Sequence, residues 1–97
     1  MLSTAEESHT LASLMRLKSR LSDMIEPDFG LIDELLIREV VTSREMADVR
    51  SERTVYRRTE ALLDLISTED KCVDLLNALQ NTGQQHVVNF ITQNGGQ

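Results

Sequence analysis

Ninety-seven residues with a net charge of −6 leave room for one hydrophobic core and no second domain. Phosphate backbones call for a net basic face and single strands call for stacking aromatics. An acidic chain with only Phe29, Tyr56 and Phe90 as aromatics therefore reads as no nucleic-acid binder.

Residues 1–4 read as a flexible N-terminus, followed by one domain over residues 5–93. The first helix is expected over 5–25, with Leu11, Leu14, Leu17, Leu21 and Met24 or Ile25 at spacings of three and four. Pro27 stops it, because the residue before a proline avoids the α region. Asp28 offers a cap for a second helix over 29–38, burying Leu31 or Ile32, Leu35 and Leu36. Thr42-Ser43-Arg44-Glu45 has the form of a capping box and starts a third helix with Met46 and Val49 inward. Thr54 can cap a fourth, in which Val55, Leu62, Leu63 and Ile66 share one face. Ser67 and Asp70 suggest the start of a fifth, with Cys72, Leu75, Leu76 and Leu79 inward and Gly83 as its left-handed C-cap. The sixth, over 84–92, buries Val87, Val88 and Ile91; residues 94–97 read as a flexible tail or linker. No stretch alternates with period two, so the expected fold is all-α, six short helices closed around an aliphatic core.

The chemistry-bearing residues do not assemble into a catalytic pattern. Cys72 occupies an apolar-stripe position, and neither His9 nor His86 lies beside it in sequence, so it reads as a buried structural thiol. One cysteine and two remote histidines give no metal-ligand spacing, and no glycine-rich phosphate loop is present; no cofactor or metal is expected. The lone cysteine excludes an internal disulfide and suits a reducing compartment, so the expected location is the cytoplasm. Every apolar window is broken by charges, and MLSTAEESHT is acidic and polar, so neither a membrane span nor a signal peptide is expected.

Charge is informative as a distribution. Arg16 and Arg20 lie one turn apart on the first helix near Lys18; Arg53 and Arg57 lie one turn apart at the start of the fourth, beside Arg50 and Arg58. Acids dominate the second and third: Asp28, Asp33, Glu34, Glu39, Glu45, Asp48 and Glu52. One reading is a mixed solvated surface with weak pairs within each helix. The other is a basic and an acidic face that bind a complementary partner, or a second copy head to tail.

The order of residues in LIDELLIREVVTSREMADVRSERT, then YRRTEALLDLI, then NALQNTGQQHVVNFI resembles a caspase recruitment domain, a branch of the death-fold superfamily. The likeness runs from about Leu11 to Ile91. It departs at STEDKC, where many relatives carry a Lys-Gly turn and an aromatic in the next helix. The resemblance implies a six-helix antiparallel Greek-key bundle that binds another domain of its own kind. Carried over by position, the implied basic face is Arg16, Arg20, Arg53, Arg57 and Arg58, and the acidic face is Asp28, Asp33, Glu34, Glu45 and Asp48. The implied partners are caspase prodomains, receptors or adaptors of apoptotic or innate immune signalling, with self-association into helical oligomers as one outcome. The domain itself would catalyse nothing, although its parent chain could be a caspase. A monomeric regulatory or inhibitory domain of the same fold is the alternative. Met1 and the terminal NGGQ suggest an amino-terminal module of a longer protein.

Overall fold

The computed structural model describes residues 11–95, which form helices and no strand. Residues 1–10 and 96–97, with the expected start of the first helix and most of the expected flexible ends, lie outside the described residues. The helices are α1 over 11–16, α2 Lys18–Met24, α3 Leu31–Ile37, α4 Ser43–Arg50, α5 Val55–Asp64, α6 Glu69–Asn81 and α7 Gln85–Gly95.

The expected first helix is thus two. Leu17 leaves helical geometry (φ −92°, ψ 6°), yet its N–H still bonds the Ser13 carbonyl and its own carbonyl accepts from Leu21, both at 2.9 Å. Both of these i→i−4 bonds are kept across the break. Before Pro27 the chain turns extended at Ile25, as the proline rule demands. The second expected cap is corrected: Asp28 caps nothing, and α3 starts at Leu31 from Gly30 in the left-handed region (φ 101°). Three other starts follow hydroxyl caps. The Thr42–Glu45 capping box is complete, Thr54 accepts from the Arg57 N–H, and Thr68, one residue after the expected Ser67, accepts from the Lys71 N–H.

Two helices end in the same backbone motif through different residues. After α6, Gly83 (φ 82°) donates to the Gln80 carbonyl and Gln84 to that of Leu79, closing a Schellman turn on the residue type that adopts it freely. After α3 the same bonds run from Glu39 to Leu36 and from Val40 to Leu35, but the left-handed position holds a glutamate at φ 60°. A side chain there is strained, and its negative charge sits at the negative end of a helix. Glu39→Gly should stabilise the domain by about 0.5–1 kcal/mol, raising Tm by roughly 2–6 °C in a thermal melt.

The buried set is aliphatic: Leu14, Leu21, Leu31, Leu35, Met46, Leu62, Leu63, Ile66, Leu75, Leu79 and Val87 are sealed from water, and Phe90 packs against their edge. Val55, expected inward, is instead partly exposed. α5 lies between α2 and α4, and α6 between α3 and α7. Two contacts fix the first direction: Lys18 at the start of α2 pairs with Asp64 at the end of α5, while Asp28 beyond α2 pairs with Arg58 in the first turn of α5. Hence α2 and α5 are antiparallel. Glu34 reaching Asn81 and Arg38 reaching Asp74 make α3 and α6 antiparallel too. One end of the bundle carries the 26–30 turn and the α4–α5 link; the other carries the start of α2 and the α5–α6 link. α7 continues to Gly95, three residues past the expected Thr92, so Asn94 and Gly95 of the expected tail are helical.

Candidate protein-interaction surfaces

The basic residues read from the sequence lie on two neighbours, α1–α2 and α5 with its leading link. Because α2 and α5 run side by side in opposite directions, Arg16 and Arg20 fall toward one end of the bundle and Arg53 and Arg57 toward the other. They form a stripe, not a compact patch. Arg20 and Arg53 are exposed and make no ion pair or hydrogen bond among the described residues. Arg57 is exposed, with one guanidinium nitrogen 3.3 Å from Glu60 on its own helix. Arg16 donates to the backbone carbonyl of Asn94 at 2.9 Å, in the last turn of α7, where a cation suits the helix dipole.

Arg58 has a different environment. Its Nε and Nη2 donate to the two carboxylate oxygens of Asp28 at 3.1 and 3.0 Å, and its Nη1 donates to the Glu52 carbonyl at 2.9 Å. A bidentate pair with a third bond holds three chain segments together. The structure therefore joins a residue of the basic set directly to one of the acidic set.

The acidic residues separate in the same way. Glu45 accepts the Thr42 N–H at 2.9 Å and completes the cap of α4. Glu34 accepts from Arg38 Nε at 3.0 Å and from Asn81 Nδ2 at 3.1 Å, tying α3 to α6. Asp33 is well exposed and meets Arg50 only at 3.5 Å, a surface contact worth about 0–1 kcal/mol. Asp48 is exposed, and its carboxylate has no partner among the described residues. The Asp33–Arg50 contact brings the start of α3 beside the end of α4. Of the ten charged residues read from the sequence, those available to another molecule are thus Arg20, Arg53 and Asp48, with Arg57 and Asp33 loosely held.

Glu34 also sets a pH response. Its carboxyl titrates below the ordinary value of 4.5, first because Asn81 donates to the carboxylate, then because Arg38 does, with burial opposing both. A folded-state pKa below the unfolded one gives stability that is complete above the unfolded pKa and is lost as pH falls through the folded pKa. The thermal midpoint should therefore fall as pH drops below about 4.5, and Asn81→Ala should flatten that fall. Cys72 is sealed in the core, and burial, helped by Glu69, pushes its thiol up to about 11, which makes it a poor nucleophile.

Sequence reasoning missed Gln84. It is 6 % exposed, accepts the Glu26 N–H through Oε1 at 2.8 Å and donates to the Glu26 carbonyl through Nε2 at 2.9 Å. Its position just past Gly83 was the only available signal, since the residue after a Schellman turn often faces inward.

Helices stacked around an aliphatic core, with exposed charges of both signs that have no partner among the described residues, define a class: a helical-bundle docking domain. The family model for the caspase recruitment domain matches residues 11–94, and the chain belongs to that family. Its members are interaction modules of the all-α death fold in apoptosis and inflammation signalling; they bind domains of their own kind and catalyse nothing. No curated protein and no solved structure matches the chain.

Proposed function

We propose that this domain recruits or assembles a caspase, receptor or adaptor carrying a second caspase recruitment domain, in apoptotic or innate immune signalling in the cytoplasm. The basic stripe of α2 and α5 offers Arg20, Arg53 and Arg57; the α3–α4 end offers Asp33 and Asp48. The observation that carries the reading is that each side keeps exposed charge with no partner among the described residues, on helices that pack against one another. Complementary faces of this kind steer encounter and select partners, and they weaken with salt. Arg58, Asp28, Glu34 and Glu45 serve mainly to hold the faces in shape.

The test is light scattering of the purified chain against concentration at low and physiological salt, beside Arg57→Glu and Asp33→Lys. Reversal at either site should lower association by at least about tenfold with circular dichroism unchanged. Association indifferent to both variants and to salt, or loss of helix in either variant, would remove these residues from the interface. A monomer under every condition would direct the search to a different caspase recruitment domain as partner.

A further inference from the structure

Asn94 and Gly95 make the one Asn-Gly pair in the chain; Asn77, Asn81 and Asn89 precede Ala, Thr and Phe. The pair matters chemically because the backbone nitrogen of the following residue can attack an asparagine side-chain amide and close a succinimide ring. A Cβ on that following residue hinders the approach, and glycine has none. The pair also lies where a helix can open, in the last turn of α7, which runs to Gly95.

Two bonds hold that turn. Arg16 Nη2, arriving from the end of α1, donates to the Asn94 carbonyl at 2.9 Å. Asn94 Nδ2 donates to the Phe90 carbonyl at 2.8 Å, and Phe90 packs against the core. The second bond occupies the amide that would be attacked and directs it back toward the preceding turn, away from the Gly95 nitrogen. The first ties the backbone of the same residue to another helix. Ring closure therefore waits for this turn to unwind, and the fraction of time it spends open sets the rate.

We propose that Asn94 is a self-modifying site, an asparagine that converts to aspartate and isoaspartate through a succinimide, with the Arg16 bond as the latch that sets its rate. The Gly95 nitrogen gives its proton to solvent base and bonds Asn94 Cγ; the Cγ–Nδ2 bond breaks, and the nitrogen leaves as ammonia. Water then opens the ring at either carbonyl, returning aspartate or isoaspartate. Water enters, ammonia leaves, and nothing is oxidised or reduced. The product has no amide to donate to the Phe90 carbonyl, and it sets a carboxylate at the negative end of α7. Isoaspartate also lengthens the backbone by a methylene and breaks the helical ladder. Both changes oppose reclosure of the turn, so the domain keeps a one-way record of how long it has been open. The inference needs no second molecule and stands apart from the partner reading.

Peptide mapping by mass spectrometry of the full chain, aged at neutral and at mildly alkaline pH, tests this. Position 94 gains acid as both isomers, faster at the higher pH because the attacking nitrogen must lose its proton, while Asn77, Asn81 and Asn89 keep their amides. Arg16→Ala, with circular dichroism unchanged, converts faster by roughly two- to tenfold, the range expected for losing one hydrogen bond from the closed turn. Arg16→Lys, which can still donate to the carbonyl, stays near the unmodified rate, and Gly95→Ala converts far more slowly. An amide at position 94 that outlasts ageing in both the unmodified chain and Arg16→Ala overturns the site. Equal rates in those two, or Arg16→Lys converting as fast as Arg16→Ala, overturn the latch.

Discussion

Replacing Gln84 by alanine should lower the unfolding free energy by about 2–4 kcal/mol, because it strands two backbone groups at once. The Glu26 N–H and carbonyl lie in the extended segment between α2 and α3, where no helix or sheet supplies partners, and the Gln84 amide bonds both at 2.8 and 2.9 Å. A part-buried donor and acceptor left without partners each cost desolvation, which exceeds the net worth of an ordinary hydrogen bond. Gln84→Glu separates the two halves of the effect. A carboxylate can still accept from the Glu26 N–H but has no proton for the carbonyl, so that variant should also lose stability, with part of the loss restored at low pH. In a domain this size the alanine change should lower Tm by 10 °C or more. Urea unfolding followed by circular dichroism checks it, and a loss below about 0.5 kcal/mol would show that solvent takes over both bonds.

The same clamp explains which parts of the fold were legible in the residues. Local signals read well. The Thr42–Glu45 box, the Thr54 cap, the Gly83 turn and the stripe of Leu62, Leu63, Leu75 and Leu79 each depend on neighbours within four residues, and each is found as expected. Asp28 read as a helix cap because its spacing to the next apolar run allows it. In the fold its carboxylate goes to Arg58, thirty residues away, and Gly30 makes the turn instead. Nothing in the spacing announces that choice, since it is made by the packing of α2 against α5. The charged sets suffered the same way. Glu34 and Glu45 both look like solvated carboxylates in sequence, but the partner of one is Asn81 on a distant helix and that of the other is a backbone N–H. Periodicity also missed the left-handed Glu39, because a glutamate carries no propensity for that conformation and only the Schellman bonds impose it. Pattern assigns faces well; it does not say which charges on a face remain free.

Leu21→Ala should be the most damaging single truncation along the seam that positions the basic stripe, at about 2–5 kcal/mol. Leu21 is fully sealed on α2, on the helix whose main packing partner is α5, where Leu62 and Leu63 are equally buried. Removing three carbons there loses their transfer energy and leaves a cavity that two antiparallel helices can close only by shifting. Such a loss is a large fraction of the 5–15 kcal/mol that holds a domain together. The preceding residue provides the control. Arg20 is exposed and has no partner among the described residues, so Arg20→Ala should change stability by less than about 0.5 kcal/mol while still weakening association. Conservative Leu21→Met, close in volume, should recover most of the stability and all of the association. If Leu21→Ala melts like the unmodified chain, α2 is not locked to α5, and the register between Arg20 and Arg57 is not set by this seam. If it melts early but associates normally while folded, the seam fixes stability alone, and each helix presents its arginines independently of the other.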